Sequence, residues 1–286
     1  MSVRESRTVP VEFRSIDGIR VRLADSRGSQ GQLVVLTSPW PESLYAFAPI
    51  WSSLTARDRP FAVDLPGFGG SELRDDLLSP AGMGAFLVRL IEEWGLGKAH
   101  LVAPDVGTSA ALFAAELRPG LLSSIVVGSG AAAVPIQLGG ALEEWVLAPD
   151  LERFRAIPAR TIVGAALDTI EGYTLPPEIR EDYLVCYDGD RMVESMRYVR
   201  TYPEELPRLA ERLPHIETPV AIIAGRHDRA VPLVNAEFLH ERLPHSKLVI
   251  VDAGHFVWEE RAAEYASILA DWIDGGYRQP HANRSR

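Results

Sequence analysis

The feature that most limits how this chain can fold is a rhythm of apolar runs. Strand-length runs occur at residues 11–13, 19–23, 33–36, 61–63, 100–102, 124–127, 220–224 and 248–251, each long enough to cross a sheet once. Helical patterns separate most of the later runs, at 82–94, 108–117, 234–242 and 262–272. A helix between two strands returns the chain to the starting edge, so such strands pair in parallel and their helices cover both faces. The predicted fold class is α/β: a mostly parallel eight-stranded sheet with an antiparallel start.

Between residues 130 and 213 the rhythm stops. The stretch is helix-compatible, has no clear strand and is punctuated by Pro135, Pro149, Pro158, Pro176, Pro177, Pro203 and Pro207. So long a connection is far beyond an ordinary loop of about 4–6 residues, and it is read as an inserted helical cap on a core made of 1–129 and 214–286. For 286 residues, one domain with one insertion is the economical arrangement.

Charge narrows the partners. A formal net charge of −10 opposes attraction to nucleic acid or anionic lipid, and no run approaches the roughly 18 apolar residues of a spanning helix. The charged start, with Arg4, Glu5 and Arg7, argues against a secretory signal, and the single cysteine, Cys186, cannot form an internal disulfide. A cytoplasmic protein whose partner is a small, uncharged molecule is expected, with no nucleic acid, membrane or cofactor; oligomeric state is left open. The tail after Gly275 lacks periodicity and is expected to fray. His227-Asp228 is adjacent rather than spaced as a ligand pair, and no lysine follows Gly67–Gly70 as a phosphate loop requires.

The stretch that carries chemistry is His100-Leu-Val-Ala-Pro-Asp105-Val-Gly-Thr-Ser. A strand runs through a small-x-Asp-x-small turn, Ala103 to Gly107, straight into a helix, which is the arrangement of a nucleophile elbow with aspartate in the usual place of serine. Alone, the turn reads equally well as a helix cap. Two further segments favour the nucleophile: Asp228, in Gly225-Arg-His-Asp228, and His255, in Asp252-Ala-Gly-His255, each follow a predicted strand. That edge is where open α/β sheets place their sites, and nucleophile, acid, histidine is the chain order this fold uses.

With these residues in place the chain resembles the α/β-hydrolase superfamily, and within it the aspartate-nucleophile branch of epoxide hydrolases and haloalkane dehalogenases. The resemblance spans about 11–272. It also rests on Asp64-Leu-Pro-Gly-Phe-Gly-Gly-Ser71 and on Ser38-Pro-Trp40-Pro-Glu-Ser43, which stands where the family has H-G-x-P-E-S. It implies that the backbone N–H groups of Trp40 and Val106 bind an oxyanion.

Aspartate restricts the electrophile. Attack on an ester would give an anhydride, whereas attack on saturated carbon gives a stable ester, and a carboxylate of pKa about 3.9 needs no base to attack. His255 is then free to activate water, with Asp228 orienting its ring. An opened epoxide needs a proton, which a tyrosine can supply. Resemblance to epoxide hydrolases favours Tyr198, in Met196-Arg-Tyr198-Val-Arg200, with Tyr173 or Tyr183 as its partner. Epoxide hydrolysis is therefore the expected activity. Hydrolytic dehalogenation is the first rival, in which Trp145 would replace the indole missing at Val106. The others are a non-hydrolytic lyase, cyclase or intramolecular ring opening, and a ligand receptor without catalysis.

Overall fold

The computed structural model describes residues 9–27 and 29–279. All eight runs form strands: β1 (Val11–Ile16), β2 (Ile19–Asp25), β3 (Leu33–Thr37), β4 (Arg59–Val63), β5 (His100–Val102), β6 (Ser124–Val127), β7 (Val220–Gly225) and β8 (Ser246–Val251). They make one sheet in the order β1-β2-β4-β3-β5-β6-β7-β8. β1 and β2 form a hairpin about Asp17 and Gly18, whose φ values of 51° and 78° give the two-residue turn that matches strand twist. β2 pairs antiparallel with β4, and every later pair is parallel.

Alternation along each strand splits the interior into two cores. Val35, Phe61, Val63, Leu101, Ile125, Val127 and Ile222 face one side, while Val34, Leu36, Ala62, Val102, Val126, Ala221 and Ile223 face the other. Of the first three helices, α1 (Ala48–Thr55) packs into the second core, and α2 (Pro80–Glu93) and α3 (Gly107–Leu117) pack into the first. α2 begins with Ser79 accepting the Gly82 N–H and with Pro80 in its first turn, and buries Met83, Phe86, Leu87 and Leu90 at helical spacing.

Six helices lie between β6 and β7: α4 (Gly140–Leu147), α5 (Glu152–Arg155), α6 (Ala159–Leu167), α7 (Pro177–Cys186), α8 (Arg191–Val199) and α9 (Tyr202–Arg212). α10 (Val234–Arg242), α11 (Val257–Glu260) and α12 (Ala262–Ile273) complete the fold; α10 joins the first core, and α11 and α12 the second. Buried Arg22 of β2 ties the inserted helices down. Its guanidinium lies 2.8 Å from Asp182 in α7 and 3.6 Å from Asp64, and 5.1 Å from the centre of the Tyr45 ring.

The tail does not fray at once. Residues 276–278 form a short turn, and the Tyr277 ring packs edge-on against His100 and Trp272; the remainder, like the charged start, lies outside the described residues. Among the described residues no helix is long and apolar enough to cross a membrane.

Candidate active site

The elbow forms because β5 ends three residues before the chain must reverse. Asp105 takes φ 53°, a left-handed conformation an aspartate tolerates better than most side chains. Its N–H donates to the Gly128 carbonyl at 2.8 Å, locking the bend against the end of β6. Gly107 has to lack a side chain: a Cβ there would stand 2.5 Å from Thr37 Oγ1 and 3.1 Å from Ala103 Cβ.

The Asp105 carboxylate does not cap α3, whose start receives no side-chain hydrogen bond. Instead Oδ2 accepts the Trp40 backbone N–H at 2.6 Å, and Oδ1 lies 3.7 Å from His255 Nε2. His255 Nδ1 is 2.8 Å from Asp228 Oδ2, and the other Asp228 oxygen accepts the N–H groups of Ala230 and Val231. Asp228 is thus fixed by its own loop before it fixes the histidine ring. Burial opposes a charge on His255, but Asp228 and Asp105 on either side outweigh it and push its pKa up to about 10. The flanking carboxylates thus favour the protonated ring.

These groups open onto a cleft of about 720 Å³. Its wall includes Trp40, Pro41, Asp105, His255 and Phe256 from the core, with Leu142, Trp145, Phe154, Ile157, Thr161 and Ile162 from the inserted helices. Trp145 meets the Trp40 ring edge-on at 5.2 Å. The Trp40 indole N–H is already used, donating to Ser195 Oγ at 2.9 Å.

The structure thus brings together Asp105, His255, Asp228, Trp40 and Trp145, with Val106 next to the nucleophile at the start of α3. No tyrosine is among the described residues that line the cleft. Tyr198 is fully buried and its hydroxyl donates to the Val106 carbonyl at 2.9 Å; Tyr183, also fully buried, donates to Glu259 Oε1 at 3.0 Å. Tyr173 is half-buried, with its pKa raised to about 12 by burial and then by Glu259 and Glu42. The arrangement lends no support to the expectation that Tyr198, with Tyr173 or Tyr183, polarises a substrate oxygen: two of these hydroxyls hold elements together, and Tyr173 is outside the cleft wall. Sequence reading missed Leu142, Phe154, Ile157 and Ile162, because an apolar side chain facing a cleft has the same helical spacing as one facing a core.

A family model described as alpha/beta hydrolase fold matches residues 32–262. An uncharacterised hydrolase of Bacillus subtilis is 24% identical over 281 residues, 92% of this chain and 98% of its own. Among solved structures, an enol-lactonase from Burkholderia xenovorans superposes with a TM-score of 0.76 at 18% identity, covering 92% of this chain and 100% of its own. An epoxide hydrolase from Vigna radiata gives 0.74 at 18% identity, with 93% and 99% covered. At such identities the likeness is one of fold.

Proposed function

The chain belongs to the alpha/beta hydrolase fold family, and from that premise we propose that it hydrolyses an epoxide of a large apolar molecule through a covalent ester at Asp105. The observation that carries this reading is the division of labour within one carboxylate: Oδ2 rests on the Trp40 N–H while Oδ1 faces the histidine and the cleft. An ester formed through Oδ1 leaves its carbonyl oxygen on the donor that will stabilise the next oxyanion.

In the first step an Oδ1 electron pair attacks a ring carbon, the carbon–oxygen bond breaks, and the ring oxygen takes a proton. With no tyrosine among the described residues of the cleft wall, His255 Nε2–H is the acid beside the nucleophile, and it supplies that proton. Alkylation also removes one of the two negative charges that keep His255 protonated, so the ring becomes a base when one is needed. Water then adds to the ester carbon as His255 takes its proton, and the oxyanion gathers on Oδ2. Collapse expels the diol oxygen, which takes that proton. The new carboxylic acid returns its own proton to His255 and restores the ion pair. The inserted helices act as a cap that holds the substrate, and water is the second reactant.

Hydrolytic dehalogenation is the competing reading, favoured by Trp145 in the wall and by the lack of a tyrosine there. It is weakened because the Trp40 indole is engaged by Ser195 and position 106 carries no indole. A cleft of about 720 Å³ also lies in the roughly 300–1,000 Å³ range of drug-sized ligands rather than of short haloalkanes.

Single turnover with enzyme in excess and isotopically labelled water tests the ester. Label is expected in the Asp105 carboxylate and not in the first diol; label going directly into diol would refute the covalent step. His255→Gln tests the acid. Mass spectrometry should find little adduct with epoxides but a persistent Asp105 adduct with an alkyl bromide, whose leaving group needs no proton. Epoxide adduct formed at the parental rate would show that the proton comes from elsewhere.

A further inference from the structure

Behind the oxyanion donor lies a second pair of carboxyl groups that the reaction above does not use. Glu42, two residues after Trp40, is fully buried, and Glu259, four residues after His255, is 2% exposed. Glu42 Oε2 accepts the Trp258 indole N–H at 2.9 Å, and Glu259 Oε1 accepts the Tyr183 hydroxyl at 3.0 Å. The remaining oxygens, Glu42 Oε1 and Glu259 Oε2, are buried with no hydrogen-bond partner, and the two carboxyl groups lie close enough to act directly on each other. Ionised carboxylates only accept hydrogen bonds, so the two orphaned oxygens can satisfy each other only if one of the groups carries a proton.

Asp105 across the site and Glu260 of α11 make a proton on the pair harder to lose, while the Trp258 indole and the Tyr183 hydroxyl, which donate to it, work the other way. Burial, then Glu259, holds Glu42 well above the ordinary carboxylate range. Burial likewise raises Glu259 to about 7, although its hydrogen bonds to Glu42 and Tyr183 pull the other way. A second negative charge here would lie in a poorly solvated interior close to the Asp105 carboxylate.

We propose that Glu42 and Glu259 share one proton, and that this buried acid–carboxylate bridge is a positioning pair that fixes the Trp40 N–H relative to the His255 ring. The bridge joins the oxyanion loop to the helix after the histidine, and it completes the accounting of four carboxyl oxygens: one on Trp258, one on Tyr183 and two on each other. The kinetic consequence rests on the ester reading above. The bridge itself does not, so its spectroscopic test needs no substrate.

Infrared spectroscopy of the full-length enzyme at pH 8 should show the carbonyl stretch of a protonated carboxylic acid, shifting in heavy water and absent from Glu42→Gln. Asp64, also fully buried, has its pKa raised by burial only to about 6, below that pH. The Glu42→Gln amide can donate to Glu259 in place of the acid, so its kcat should stay within about threefold of the parent; Glu42→Ala should lose about tenfold or more, with KM little changed. Absence of the acid band at pH 8 would overturn the shared proton. Equal damage in Glu42→Gln and Glu42→Ala would overturn the positioning role. Should Glu42→Ala fail to fold, the band and the Glu42→Gln rate still decide.

Discussion

At the scale of single residues, the site depends on small groups placed where a larger one would collide. Gly107→Ala sets a methyl 2.5 Å from Thr37 Oγ1. We expect a loss of about 1–3 kcal/mol, the usual cost of overpacking, measurable as a lower denaturant midpoint. Thr37→Ala removes the atom in the way, so the double variant should recover part of that loss and show non-additive coupling. Tyr198 gives the opposite kind of prediction. Its hydroxyl holds the Val106 carbonyl, so Tyr198→Phe should cost about 0.5–1.5 kcal/mol of stability and leave kcat nearly unchanged. A fall in kcat of about 10²–10⁴, the contribution of a general acid, would return the tyrosine to the chemistry. Asp105, Asp228 and His255 could be read from the sequence because each sits in a short motif at a strand end. The Tyr198 contact with Val106 was not legible, because the same kind of motif says nothing about where a hydroxyl points.

At the scale of elements, the question is what keeps the inserted helices on the sheet. Arg22 projects from β2 to Asp182 of α7 while also facing Asp64, and the Ser43 hydroxyl donates to the second Asp182 oxygen at 2.7 Å. Removing the guanidinium leaves two carboxylates facing each other. Arg22→Met should therefore cost about 3–5 kcal/mol and raise KM as α7 loosens, read from thermal unfolding and steady-state kinetics. The pH dependence has a definite sign. Burial raises Asp64 to about 6 and Arg22 works against that rise, so in the variant Asp64 climbs further. A carboxyl whose folded pKa is raised gives stability present at low pH and lost as pH rises through that value. Arg22→Met should accordingly be less impaired near pH 5 than at pH 8, and equal impairment at both would remove Asp64 from the explanation. No pattern in residues 19–25 announces this contact, because an arginine on a strand reads as solvent-facing until α7 covers it.

At the scale of the whole molecule, two histidines, one starting β5 and one following β8, contribute opposite pH dependences to stability. His255 has a folded pKa raised to about 10 by its two carboxylates against the opposing effect of burial. Its stabilisation is complete below the unfolded value of about 6.5 and is lost as pH climbs to about 10. His100 is buried between Ser124 and Gln32, and burial, with Arg278, lowers its pKa to about 4. Its stabilisation is complete above about 6.5 and is lost as pH falls toward 4. Denaturant midpoints across pH should therefore fall on both sides of about 6.5, with His255→Gln flattening the alkaline limb and His100→Gln the acid limb. The sequence by itself determined the strands, their alternation with helices and the residues that follow the strands at the sheet's carboxyl edge. Those follow from local periodicity and from turns that only small or left-handed-tolerant residues can make. Tertiary structure alone decided which hydroxyls are free, which carboxyls share a proton and which apolar faces line a cleft, because each depends on a partner distant in the chain. Glu42 and Glu259 are separated by most of the molecule, and only the folded sheet brings their carboxyl groups together.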